Sequence, residues 1–376
     1  LELVEHRIDS ALGHTMKKIS MVTLLALALG SAALAQADHH SAGSLKYVEL
    51  NKIGDPAKVL EVKQEESQTL KSGEVRIRVL AAPIHPSNLL QIAGNYGVDA
   101  VLPSTPGSEG VGRVLETSAQ VTHLSVGQLV LLAGVGTWRD EIVAPAAGFI
   151  PLPDLGSPSD EVIEQLSMTA INPLSALLML TSYADLKEGD WVVQSAANSA
   201  VGGYLIQLAK QRGIKTINVV RREGLAEDLM AKGGDVVLID GPDLAKQIAA
   251  ATNNAAVVLA VDAVGGETLS RLAESLGNGG TLVTYGALSG KASMLNSGMI
   301  IFKDIRVRGF WLYKWFQTSS MAEKQAAFGQ VIPLIASGAL KANVDSRFSV
   351  AQIKQAVTRA AQRGRNGKVL IVPKVD

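Results

Sequence analysis

The sequence contains no cysteine. That absence excludes a disulfide framework, thiolate-bound metal and a cysteine nucleophile. It also lacks any excess of one charge: Lys plus Arg and Asp plus Glu number 35 each. A balanced chain has no long-range field to gather nucleic acid or an anionic membrane. Aromatic residues make up 4% of the chain, too few for platforms on which bases stack, so no nucleic-acid partner is expected. Internal repeats and low-complexity linkers are missing as well. What is present is a chain of 376 residues, 47% hydrophobic, long enough for two domains with separate cores.

Residues 16–37 have the layout of a secretory signal peptide: Met16-Lys17-Lys18, the apolar run "ISMVTLLALALGSAALA", then small residues up to Ala37 before the polar "DHHSAGS". The competing reading is a membrane anchor, for which the run is short and carries Ser and Thr. Cleavage after Ala37 would leave a mature chain with no stable membrane span, in the periplasm or beyond. If the segment is not a working signal, the location is cytoplasmic. The basic start holds two lysines rather than the twin arginines that export folded proteins. "LELVEHRIDSALGHT" ahead of Met16 fits translated upstream sequence, with Met16 as the start.

From Leu45 to about Pro153 the pattern is short β segments with turn punctuation, among them "KYVEL", "KVLEV", "EVRIRVLAA", "GVGRVLET", "GQLVLLAG" and "EIVAP". This spacing predicts a compact, partly open barrel. "SPSDEVIEQLSM" begins a helix with Ser157 or Ser159 as its cap, and Asn172-Pro173 restarts one, with asparagine capping and proline in the first turn. After Asp190 the texture alternates. "WVVQS", "TINVV", "DVVLI", "AVVLAV", "TLVTYG" and "IRVRG" are apolar, β-branched runs, with helical segments between the earlier ones. That alternation predicts an α/β doubly wound parallel sheet covered on both faces. The tail, from about residue 315, is too small to stand alone and is expected to pack back on the first domain.

"SAANSAVGGYLIQLAKQRG", residues 195–213, sits where a dinucleotide-binding chain carries its glycine fingerprint. Ala197 and Ser199 take the first two glycine places and Gly202 keeps the third. Strand, tight turn and helix N-terminus still make an anion site, because the first-turn N–H groups and the dipole face the loop. Ser199 is small and able to bond phosphate. The next strand, "TINVV", ends in Arg221-Arg222, nineteen residues past Gly202, where an NAD site has a carboxylate for the ribose hydroxyls. Guanidinium groups bind a 2′-phosphate that a carboxylate would repel, so the loop and arginines favour NADPH over NADH. The plainer alternative is two solvated surface arginines.

"GNYG" (94–97), "GSEGVGRV" (107–114), "GTWRDE" (136–141), "INPLSA" (171–176), "NSAVG" (198–202), "KTINVVRR" (215–222), "GGTLVTYG" (279–286) and "IFKDIRVRGFWLYKW" (301–315) together resemble the medium-chain dehydrogenase/reductase superfamily. Within it they are most similar to the zinc-free branch, to mitochondrial-type 2-enoyl thioester reductases and then to quinone oxidoreductases. The resemblance implies a GroES-like catalytic domain at 44–167, a Rossmann NADP-binding domain at 168–314, a return to the catalytic domain at 315–376, and a homodimer. Ser108 stands where zinc members have histidine, and the four-cysteine lobe is absent, so neither metal site is expected. Tyr96 is implied as the acid that protonates the α-carbon, its bland alternative being a turn tyrosine over the core. Asn172, Asn198, Ser199, Ala200, Val201, Gly202, Arg221, Arg222, Tyr285, Gly286, Phe310, Trp311, Leu312 and Lys368 are implied cofactor contacts. Core packing competes for Phe310, and an exposed strand start for Lys368. Trp138-Arg139 is a candidate substrate-pocket pair. The family's "NPSD" is "HPSN" here, His85 to Asn88, which removes a carboxylate; a lone histidine reads as structural.

The function implied is NADPH-dependent reduction of the C=C bond of 2-enoyl thioesters. The alternatives are an NADPH:quinone oxidoreductase and an NADPH-binding protein without turnover.

Overall fold

The structure, a computed structural model, describes residues 44–373. The signal-peptide expectation for residues 16–37 lies outside them. The first strands are β1 (Leu45–Leu50), β2 (Leu60–Glu65), β3 (Glu74–Pro83), β4 (Glu109–Thr117), β5 (Leu129–Ala133), β6 (Glu141–Pro145) and β7 (Phe149–Pro151). Six follow in the middle of the chain: β8 (Trp191–Gln194), β9 (Lys215–Val220), β10 (Val236–Ile239), β11 (Val257–Asp262), β12 (Leu276–Thr284) and β13 (Arg306–Gly309). The tail supplies β14 (Val344–Phe348) and β15 (Lys368–Ile371).

β3 shows why the first region folds into a sheet. Val75, Ile77 and Val79 alternate along it and are buried, while β4 and β6 pair antiparallel to it. The sheet runs β14-β15-β3-β4-β5-β7, with β6 also on β3. The tail thus returns to this sheet: Leu370 and Ile371 pair with Pro83 and Ala82. Trp138 is fully buried in the same region and its indole N–H points to the Pro83 carbonyl at 3.4 Å.

The six middle strands are all parallel, in the order β10-β9-β8-β11-β12-β13. This is the doubly wound order in which the chain reverses direction beside its first strand, and the crevice at that reversal receives ligand. Here the reversal lies between β8 and β11. Ser195, just past β8, donates from Oγ to Asp262 Oδ1 at the end of β11 (2.7 Å), and Asp262 also accepts from the Val264 and Gly265 amides. The carboxyl ends of the two strands are therefore tied together where a ligand would enter. Apolar side chains run continuously from Val111 and Leu131 of the first sheet through Leu174 and Leu177 to Leu205 and Leu259 of the second.

Candidate active site

The dinucleotide loop leaves β8 through Ala196, which adopts a left-handed φ of 48°. Ser199 then caps the helix Ala200–Gln211, its hydroxyl accepting from the Gly202 amide at 3.1 Å. Gly202 has no alternative: a Cβ there would lie 2.4 Å from the Ala197 carbonyl oxygen, a backbone atom that cannot move aside. The chain thus passes tightly beneath the helix N-terminus. Asn198 is exposed at the tip, with Ala200 and Val201 half-buried behind it.

Tyr285 closes the loop from the other side of the reversal. Its amide bonds the Asp262 carbonyl (2.9 Å), and its hydroxyl bonds the Ser199 side chain, with burial pushing the phenol's pKa upward. Gly286 follows with a Cβ position only 2.8 Å from the Ala263 oxygen, so a side chain is excluded there too. Arg221 and Arg222, directly after β9, are exposed, and among the described residues neither pairs with a carboxylate. These positions fit a phosphorylated dinucleotide: a capped helix start for the diphosphate and two uncommitted guanidinium groups for a 2′-phosphate.

Asn172 is not the cap of its helix. The helix runs Asn172–Ser182 with Ile171 as N-cap, so Asn172 is its first residue, and its Nδ2 is buried with no partner. A buried donor without an acceptor is costly, about 1–3 kcal/mol, a cost that a bound ligand's oxygen would remove. The expectation of a capping asparagine is corrected, and the reason is that Asn172 directs its amide inward instead.

Tyr96 lies in the loop after the helix Pro86–Ile92. Trp311, after β13, donates its indole N–H to the Tyr96 hydroxyl at 3.0 Å, and the rings meet edge to face at 6.2 Å. Phe310 is buried and packs edge to face on Tyr183, so it serves the core, whereas Trp311 is 39% exposed. Leu312 begins the next helix, half-buried against the core.

The expected substrate-pocket pair is corrected. Trp138 is a core side chain with no surface to offer a substrate, and Arg139 is engaged by Glu65 at 2.7 Å and stacked over Tyr47. The alternative weighed for Lys368, an exposed strand start, does not hold: the side chain is buried, and its Nζ lies 2.9 Å from His85 Nδ1. His85 Nε2 in turn lies 2.6 Å from Glu109 Oε1, and Glu109 Oε2 accepts from the Ile171 amide at 2.9 Å. Burial pushes Glu109 up and Lys368 down from their ordinary pKa values, and holds His85 well below its own, with the Lys368 charge adding to the effect. Asn88 supports the group, accepting from the His85 amide and donating to the Ser108 hydroxyl. Glu109, a carboxylate opening the Gly-Val-Gly start of β4, is the signal in the sequence that could have found this cluster; its partners lie too far along the chain to be paired by spacing.

The family description "Alcohol dehydrogenase GroES-like domain" matches residues 71–154, and "Zinc-binding dehydrogenase" matches 200–336. Among the described residues, however, no three His, Asp or Glu side chains are grouped to hold a metal. The mitochondrial enoyl-[acyl-carrier-protein] reductase of Dictyostelium discoideum is 34% identical over 336 residues, covering 86% of this chain and 93% of that protein. The chain belongs to the zinc-free medium-chain dehydrogenase/reductases, with the mitochondrial enoyl-[acyl-carrier-protein] reductases among its relatives. Among solved structures, a complex of Etr1p with NADP and crotonyl-CoA matches with a TM-score of 0.80 and 26% identity, over 88% of this chain and 100% of that one. A Bacillus thuringiensis protein described as a "putative NADPH:quinone reductase" matches with a TM-score of 0.78 and 30% identity, over 88% and 99%.

The expectation of export is corrected by the same comparison: the relatives from Dictyostelium discoideum, rat and human are mitochondrial proteins. A basic start followed by an apolar run is too generic to fix a destination.

Proposed function

We propose that the protein is an NADPH-dependent reductase of the C=C bond in 2-enoyl thioesters, carried by CoA or acyl carrier protein. NADPH, when bound, supplies the hydride that adds to the β-carbon of the thioester. The observation that carries the reading is the Tyr96–Trp311 contact. Because the indole N–H occupies a lone pair of the phenol oxygen, the Tyr96 hydroxyl keeps its own proton free to donate. Tyr96 gives that proton to the α-carbon, and Trp311 stays bonded to the oxygen left behind. Ser199, Gly202 and the helix start hold the diphosphate, Arg221 and Arg222 the 2′-phosphate, and Asn172 a ribose oxygen. In this reading residues 44–167 with the 315–376 return form the catalytic domain, and 168–314 the cofactor domain.

Quinone reduction is the second reading, favoured by the likeness to the Bacillus thuringiensis protein. The two differ in their need for an acid. NADPH oxidation with a crotonyl thioester or a simple quinone, for wild type and Tyr96→Phe, separates them. The enoyl reading expects thioester turnover to fall by about 100-fold or more in the variant, with NADPH binding unchanged. Quinone turnover indifferent to the substitution, without thioester turnover in wild type, overturns it. NADPH binding with neither reaction leaves a binding protein.

We further propose a homodimer. β13 is an edge strand exposed along its whole length, and Ile300, Ile301 and Phe302 stand exposed just before it.

A further inference from the structure

Three ionisable side chains meet inside the molecule, almost closed to solvent. Lys368 (5% exposed), His85 (2%) and Glu109 (0%) come from the start of β15, the turn just past β3 and the start of β4. β15 pairs beside β3, which brings Lys368 against His85. The partners settle the histidine's proton. An ammonium only donates, so His85 Nδ1 accepts from Lys368; a carboxylate accepts, so Nε2 carries the hydrogen and donates to Glu109. With Lys368 and Glu109 both ionised, His85 is neutral and held as a single tautomer between opposite charges.

The cluster has more donors than it can satisfy. Of three N–H bonds on the Lys368 ammonium, the described residues account for one, to His85. Asn172 Nδ2 is buried without a partner, and it follows Ile171, whose amide bonds the same Glu109 carboxylate. Tyr204, on the helix behind the dinucleotide loop, is fully buried with an unpaired hydroxyl, close enough for the Glu109 charge to act on it. Arg365 is the other cation whose charge reaches Lys368 and His85. Lys368 and Asn172, each linked to Glu109 through a neighbour, thus leave buried donors that a group rich in acceptors and poor in donors would satisfy. A simple hydrophobic core would have no such surplus.

We propose that His85 is a positioning residue for the nicotinamide nucleotide: held between Glu109 and Lys368, it fixes the ammonium so that its free N–H bonds, together with the Asn172 amide, receive an oxygen of the bound cofactor. This rests on the cofactor reading above. Glu109 has the second task of holding the Ile171 amide, which sets the turn that presents Asn172. Without the imidazole, the ammonium and carboxylate lose the group that satisfies both, and each is free to turn toward another partner.

The test is the NADPH dissociation constant, measured by calorimetry on the apoprotein, for wild type, His85→Leu, His85→Gln and Lys368→Met, with thermal melting of each ligand-free chain. Glutamine has an oxygen to accept from Lys368 and an N–H to donate to Glu109, so it reproduces both bonds. His85→Leu and Lys368→Met are expected to weaken NADPH about tenfold, and His85→Gln to recover to within about threefold of wild type. A purely structural histidine would lower the melting temperature of both His85 variants and leave affinity untouched, or lower affinity equally in both; either result overturns the proposal. If His85→Leu does not fold, Lys368→Met decides, with unchanged affinity counting against. Wild type that binds no NADPH would overturn the cofactor reading and this inference with it, whereas wild-type binding indifferent to the substitutions would overturn this inference alone.

Discussion

At the scale of single residues, the proposed preference for NADPH rests on Arg221 and Arg222. Both follow β9 in the place where a ribose hydroxyl or its phosphate arrives, and neither is drawn off by a neighbouring carboxylate. Each charge-assisted bond to a phosphate contributes about 1.5–3 kcal/mol. Arg221→Ala with Arg222→Ala should therefore raise the KM for NADPH by about tenfold or more and leave that for NADH nearly unchanged. Equal effects on both nucleotides would mean that the arginines are ordinary surface residues. The turn at Ser199 and Gly202 was legible in the sequence because it depends on local order alone, a strand, a turn and a helix start in succession. His85, Glu109 and Lys368 were not, since their meeting depends on how β3, β4 and β15 pair. Trp138 misled for a related reason: an indole beside an arginine looks like a recognition pair until its burial is known.

At the scale of elements, the six runs of β-branched residues after Asp190 fold into the six parallel strands they predict. Runs apolar on both faces have little else to become. Helix starts were less secure. Ser159 caps its helix, but Ile171 takes the cap position expected of Asn172. The three-residue β7 was too short to read. The tail depends on a connection that spacing could not supply. Asp345 in β14 accepts from Arg359 Nε (2.8 Å) and Nη2 (2.6 Å) of the helix Ile353–Ala361, and from the Asn366 amide ahead of β15. The Arg359 bonds hold the Asp345 carboxyl below its usual pKa. A depressed carboxyl contributes stability that is full above the unfolded value of about 3.9 and is lost as pH falls through the lower folded value. Asp345→Asn is thus expected to lower the melting temperature by about 2 °C at neutral pH, a modest effect because Arg359 is partly exposed. The gap should close as pH drops below about 4. A difference that persists at low pH would show packing, not charge, at work.

For the molecule as a whole, the nucleotide sheet has a problem that its own strands do not solve. β13 pairs with β12 on one side and offers its other edge to solvent, with Val307 41% exposed in the strand. An open edge of unpaired N–H and C=O groups invites another strand, and proteins that remain alone usually blunt it with charge, proline or a bulge. Arg306 and Arg308 supply some charge, yet the helix Ser297–Lys303 ahead of the strand presents Ile301 at 69% and Phe302 at 84% exposure. Large apolar side chains left open beside an open edge mark an interface. A twofold axis across β13 would pair the edge with its own copy and cover both residues at once, because an isologous contact uses the same patch twice. Light scattering after size exclusion should then give twice the chain mass for wild type and a single chain mass for Ile301→Asp/Phe302→Asp. The charged variant should still bind NADPH, since neither residue belongs to the dinucleotide loop. Wild type at a single chain mass would leave the edge unpaired and remove the homodimer from the proposal. A variant that stays dimeric would move the interface elsewhere on the molecule.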